Sequence, residues 1–184
     1  MSKPTTIHRL KISLRDLKPP VWRRLEVASD ATLAELHELI QTAFMWFDCH
    51  LHEFDVDGTT YGVDDGEGWG DPPVDESTAR LGDLVGAGMR FHYTYDFGDN
   101  WRHLIEIEAV EGPEAGIGYP RCTDGRRSAP PEDVGGPAGF AYFVQAVTDP
   151  QHPDHKDQVA WHGRDDFDPD YFEVESVNEA LRVT

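Results

Sequence analysis

Residues 93–103 read YTYDFGDNWRH. Met89, Phe91, Tyr93, Tyr95 and Phe97 alternate with polar residues before Gly98-Asp99-Asn100, and Trp101, His103, Ile105, Ile107 and Ala109 alternate after it. A period of two on both sides of a Gly/Asp/Asn turn predicts an antiparallel hairpin. Its bend gathers Asp96, Asp99, Trp101 and His103 within eight residues. A second unusual stretch, YPRCTDGRRSAPPEDVGG at 119–136, is too rich in Pro, Gly and charge to predict regular structure, yet too particular for a linker. We expect the two stretches to meet and enclose one cleft.

Outward from this hairpin, Leu10, Ile12 and Leu14 share one face of a first strand. Val21, Arg23, Leu25 and Val27 do the same on a second, joined through Lys18-Pro19-Pro20. Thr32 and Glu35 form a capping box for a helix whose core stripe is Leu33, Leu36, Ile40, Ala43, Phe44 and Phe47. His52, Phe54 and Val56 then alternate up to an Asp57-Gly58 turn before Thr59-Thr60-Tyr61. The run DDGEGWGDPP at 64–73 breaks all periodicity and reads as a mobile loop, and Leu81, Leu84 and Val85 as a helical turn. Pro137 opens a helix with the stripe Phe140, Phe143, Val144 and Val147, closed at Asp149-Pro150, and two shorter helical pieces cover Lys156 to Trp161 and Glu175 to Leu181. The expected fold is α+β: a β-grasp-like antiparallel or mixed sheet crossed by one long helix, with a C-terminal helical cap. It forms one domain over 1–184, sheet and helix in 1–112, loop and cap in 113–184.

The 184 residues are 39% apolar and 11% aromatic, which is globular rather than disordered composition. No segment approaches the ~18 apolar residues of a membrane span, and the N-terminus reads as unprocessed, so a soluble, cytoplasmic protein is expected. Cys49 and Cys122 are too few for a disulfide framework, although one bridge between them stays open. With 16 basic and 35 acidic residues the formal charge is −19, which repels a nucleic-acid backbone. Seven of the basic residues precede residue 25. They make either a solvated sheet face or a small basic surface.

The candidate ligand-binding residues are Asp96, Asp99, Trp101, His103, Arg121, Cys122, Glu132 and Asp133. His103, on an otherwise apolar face, reads as a hydrogen-bonded structural residue or as a ligand. Trp101 is a core anchor or a stacking platform. Asp96 and Asp99 serve turn chemistry or a site. Gly135-Gly136 before Pro137 places backbone amides at a helix N-terminus, where an anion would sit; Glu132 and Asp133 oppose a phosphate there and can instead cap the helix. For a metal, His50 and His52 would share one strand face and, with His103 or Cys122, build a site. No HExxH, CxxC or EF-hand spacing occurs, nor a GxSxG elbow or a GxxxxGK[ST] loop. Asp96-Phe97-Gly98 lacks every companion motif of a kinase.

On LKPPVWRRLEV, TLAELHELIQTAFMWFDCHLHEF, YDFGDNWRH, YPRCTDGRRSAPPEDVGG, FDPDYF and Val177-Asn178, the chain resembles the plasmid pRiA4b ORF-3-like family, also labelled insertion-element passenger or resolvase-like. The resemblance implies an intracellular protein associated with plasmid or mobile genes, with no established activity. The resolvase label gains no support, because neither a nucleophilic serine with an arginine cluster nor a basic DNA-binding helix is found. Family members often carry a cysteine just before PPED and sometimes one after it. Here Ala129 and Val134 stand there, which counts against a thiolate metal site or loop disulfide.

The leading reading is a noncatalytic adaptor module that receives a small ligand or a peptide; nothing in the sequence requires catalysis, and no cofactor is assigned. The alternatives are a divalent-metal-dependent hydrolase or nuclease, with the carboxylates and His50, His52 or His103 as ligands, and a DNA-associated accessory protein using the N-terminal basic residues.

Overall fold

The computed structural model describes residues 5–64, 66 and 71–183. Its strands are β1 (Ile7–Leu14), β2 (Trp22–Ala28), β3 (His52–Val56), β4 (Thr59–Gly62), β5 (Val74–Asp75), β6 (Arg90–Tyr95), β7 (Trp101–Glu111) and β8 (Arg121–Arg126). They form one mixed sheet in the order β5-β4-β3-β6-β7-β1-β2-β8. Every pairing is antiparallel except the short edge pair β4 and β5. The predicted hairpin is β6 and β7, with Tyr93 opposite His103 and Tyr95 opposite Trp101. Residues 65 and 67–70 of the 64–73 loop lie outside the described residues, and with them the expectation of mobility there.

Pleating sends alternate residues to one face, where Leu10, Ile12, Leu25, Phe54, Phe91, Tyr93, Tyr95, Trp101, Ile105 and Ile107 are sealed from solvent. Helix α1 (Leu33–Phe44) lies over this face. Thr32 Oγ1 accepts the Glu35 N–H at 3.2 Å and Glu35 Oε2 accepts the Thr32 N–H at 2.8 Å, closing the predicted capping box. Leu33, Leu36, Ile40, Ala43 and Phe44 are buried as the stripe predicts, and each large apolar chain contributes about 1.5–3 kcal/mol. Phe47 is a correction. The helix stops at a left-handed Met45 (φ 58°), so Phe47 projects 79% exposed while Trp46 turns into the core.

The opposite face of the sheet carries ion pairs. Arg24 pairs with Glu108 and Asp124, Arg9 with Glu26 and Glu111, and Arg121 with Glu26. Lys11 and Arg24 stack on Trp22. Arg23 is not on that face at all: it is 3% exposed on the core side. Of the N-terminal cations, Arg9 and Arg24 are thus ion-paired and Arg23 is buried, while Arg15 and Lys18 stay exposed, so the basic surface is smaller than the seven charges of the sequence suggest.

Beyond the sheet, α2 (Leu81–Leu84) is the predicted helical turn, and α3 (Gly136–Thr148), α4 (His155–His162) and α5 (Val174–Leu181) form the C-terminal helices. The architecture is α+β with an eight-stranded mixed sheet and several helices, α3 being as long as α1; the β-grasp layout crossed by one long helix is not established by it. A further correction concerns 119–136, whose first part is regular after all. Arg121–Arg126 forms edge strand β8 because β2 offers it a free ladder, with a register shift at Arg24/Leu25 absorbing the irregular sequence. The other side of this edge is capped by Asn178 on α5, which accepts the Cys122 N–H at 2.7 Å and donates to the Cys122 carbonyl at 2.9 Å. Edge groups left without partners invite misplaced pairing. Asn178→Ala is expected to cost about 1–3 kcal/mol, read from urea unfolding; an unchanged midpoint would show the clamp to be dispensable.

Candidate functional site

Asp96 ends β6 in a left-handed conformation (φ 54°), as does Asn100 (φ 55°) on the far side of the turn. Asp and Asn tolerate this region because their short side chains bond locally. Asp96 Oδ1 accepts the Gly98 N–H at 2.9 Å, and the Asp96 carbonyl accepts the Asn100 N–H at 2.6 Å. Against this bend lies the loop 130–136. Trp46 Nε1 donates to the Pro130 carbonyl at 2.8 Å, the Phe47 N–H and the Tyr95 hydroxyl donate to Glu132 Oε1 at 2.9 and 3.0 Å, and the Gly135 N–H donates to Asp99 Oδ2 at 3.0 Å. Burial first, and then the bond to Glu132, raise the Tyr95 hydroxyl's pKa, so it remains a donor.

At the helix N-terminus foreseen as an anion site, Gly135 is the cap residue of α3 and its amide holds the protein's own Asp99 carboxylate. Neither Glu132 nor Asp133 makes that cap.

Of the predicted residues, Asp96, Asp99, Glu132 and Asp133 converge here, and His50 joins them. His50 Nε2 lies 2.9 Å from Asp133 Oδ1 and 3.7 Å from Asp96 Oδ2. Arg121 and Cys122 do not join. They sit on β8, four strand positions from β6, or about 19 Å at ~4.8 Å per strand; Arg121 pairs with Glu26, and burial pushes the Cys122 thiol's pKa up. Cys49 is exposed and both thiols are free, so the bridge between them is absent.

Trp101 and His103 are fully enclosed in the core. His103 Nδ1 donates to the carbonyls of Trp101 at 2.9 Å and Tyr93 at 3.3 Å, which fixes the tautomer, and Phe44 and Trp46 meet the ring edge-on. Burial pulls its pKa down to about 3. It is a neutral structural histidine. His50 and His52 also part company, since the β3 ladder begins only at His52. His52 stacks on His37 with centroids 3.4 Å apart and bonds to the buried Glu76 at 2.9 Å, and His37 bonds to Tyr93 and Asp48. Burial, then the neighbouring His52, lower the His37 pKa.

The far wall of the 130–133 loop faces a cleft of about 870 Å³, which the sequence reading did not foresee as a separate space. It lies between the end of α1, residues 128–133 and the segment 161–177. Arg23 forms part of its lining, sandwiched between Phe44 and Phe172 and donating to the carbonyls of Ala43, Trp22 and Arg126; burial lowers its pKa to about 10. Its exposed aromatic residues are Phe47, Trp161 and Tyr171, and its carboxylates are Glu132, Asp133, Asp166, Asp168 and Glu173. Of these contributors, Phe47 had a sequence signal: the apolar run Ala43 to Phe47 outlasts helical spacing.

Two measurements test this construction. A Cβ at Gly136 would stand 2.6 Å from the Asp99 carbonyl oxygen, at φ +67°. Gly136→Ala should therefore cost more than about 1 kcal/mol in chemical denaturation; a neutral result would mean that the two segments are not in forced contact. For His103, the folded pKa is depressed, so protons favour the unfolded chain: its contribution is complete above the unfolded value near ~6.5 and is lost as pH falls toward about 3. Stability should decline by up to about 1.4 kcal/mol per pH unit in that window from this group. His103→Asn, which retains a donor, should flatten the slope, and an identical slope in the variant would remove His103 as its source.

Relatives match nearly the whole chain. A protein of Sinorhizobium fredii described as uncharacterized protein y4hQ is 37% identical over 178 residues, covering 96% of this chain and 91% of its own. The crystal structure of a protein of unknown function, MM3350 from Methanosarcina mazei Go1, superposes with a TM-score of 0.85 at 37% identity, covering 94% of this chain and 98% of that one. Residues 6–176, which contain both the bend and the PPED loop, match the family model described as plasmid pRiA4b ORF-3-like protein, and the chain belongs to that family.

Proposed function

We propose that this protein is a noncatalytic adaptor whose 870 Å³ cleft receives an extended peptide segment bearing basic and apolar side chains. The observation that carries this reading is the pairing of surface types around one opening: three exposed aromatic rings, Phe47, Trp161 and Tyr171, beside five carboxylates. Exposed aromatics around a concavity are the usual anchors of recognition, since they bury a large area at small entropic cost. The two arginines of the lining offset this acidity only in part: Arg164 pairs with Asp166, Arg23 is buried beneath the cleft, and the carboxylates stay in excess. A net charge of −19 adds a long-range attraction for a basic partner.

No helix among the described residues is long and apolar enough to cross a membrane. Two unpaired cysteines suit a reducing compartment, and we place the adaptor in the cytoplasm, working with products of plasmid or mobile genes, as part of the same proposal.

The test is a titration of the chelator-treated protein with short peptides of matched length, followed by tryptophan fluorescence. Peptides combining Lys or Arg with Leu or Phe should bind in a salt-sensitive manner, and acidic peptides should not. Phe47→Ala, which touches a side chain outside the core, should weaken binding by about tenfold without altering thermal stability. Equal affinity for acidic and basic peptides, or none for either, would reject the reading.

A further inference from the structure

We infer that His50, Asp96 and Asp133 form a binding site for one divalent first-row cation, Zn²⁺ or Mn²⁺, built where the β6 bend meets the PPED loop. One potential ligand atom from each residue lies within 4.8 Å of the others. For ion–ligand bonds of about 2.0–2.2 Å, neighbouring ligand atoms stand about 2.9–3.6 Å apart. Of the two distances from His50 Nε2, 2.9 Å lies at the lower end of that range and 3.7 Å just beyond its upper end. Asp133, whose side chain is 70% exposed, is free to close the remaining edge. One imidazole and two carboxylates, donating through one nitrogen and oxygens, suit Zn²⁺ or Mn²⁺ better than an all-oxygen Ca²⁺ cage.

Acidic clusters on protein surfaces are common, and two further observations set this one apart. Asp96 is 6% exposed; its Oδ1 is used by Gly98, but among the described residues Oδ2 has no hydrogen-bond donor and faces His50 instead. The His50 side chain is 29% exposed, but its Nε2 atom is sealed from solvent and makes no hydrogen bond among the described residues, its 2.9 Å approach to Asp133 being an ion pair only. Two converging ligands with a gap between them have this geometry. The other histidine cluster does not: His37 is hydrogen-bonded through both ring nitrogens and His52 Nε2 bonds to Glu76, a network already satisfied. The ligands come from three separate segments, the α1–β3 connection, the end of β6 and the PPED loop.

The proposal is independent of the peptide reading and is tested with the metal alone. Calorimetric titration of the chelator-treated protein with Zn²⁺ or Mn²⁺, in a Cys49→Ser background that removes the nearby exposed thiol, should give one ion per chain. Loss of a ligand should weaken binding by about 100-fold, at least as much as loss of an outer-shell partner. His50→Ala and Asp96→Asn should each do this, the asparagine keeping an acceptor for the Gly98 N–H, while His52→Gln should leave the affinity unchanged. The absence of one-to-one binding in the Cys49→Ser protein, or binding that survives His50→Ala, would overturn the site.

Discussion

The Cα of Gly136 packs against the carbonyl of Asp99, where there is no room for a Cβ, and the neighbouring Gly135 amide takes the Asp99 carboxylate. This contact fixes the start of α3 on the β6–β7 bend. From it follow the placement of Asp133 beside His50, the wall of the cleft formed by 130–133, and the direction in which the C-terminal helices leave the sheet. A glycine is needed for two separate reasons, the positive φ and the approach distance. The anion at this helix end is covalently part of the fold, so the macrodipole stabilises an internal joint.

Much of the sheet and its covering helix was legible because their signals are periodic. Leu10 to Leu14, Phe91 to Tyr95 and Trp101 to Ile107 alternate without interruption, and Thr32 with Glu35 marks the start of α1 unambiguously. What could not be read were features decided by partners remote in sequence. Strand β8 looks irregular by itself and exists because β2 has an open edge and Asn178 completes it. The convergence of Asp96, Asp99, Glu132 and Asp133 was anticipated from composition alone, whereas Arg121 and Cys122 were drawn into the same cluster by sequence proximity to PPED. Five residues, the first four of them in β8, separate Cys122 from Ser128 and carry it away. His50 and His52 were assigned to one face on the assumption that the strand already runs at position 50, and it does not.

The polar groups in the core repay the same attention. Arg23 alternates correctly with Leu25 and Val27, and so it is buried; its charge persists because three carbonyls and two aromatic faces replace its hydration. His103 solves the opposite problem by staying neutral. Each is structural, yet each supports the cleft indirectly, Arg23 from its lining and His103 through Trp46, which grips the Pro130 carbonyl.

That grip bears on how the two sides of the PPED loop are related. Pro130 is held by Trp46 and Glu132 by Phe47 and Tyr95, so the loop's backbone is determined from the core outward. Asp133, one residue further, is the most exposed member of the set, and its side chain pairs with His50. It also contributes to the cleft wall. A charge that binds on the His50 side therefore reduces the negative potential felt on the cleft side and restricts the one carboxylate not already pinned. Both effects act on a basic occupant, the first by weakening long-range attraction and the second by fixing part of the surface it meets. Because the two have opposite signs, the coupling between the cluster and the cleft is set by their difference and is expected to be smaller than the larger of the two.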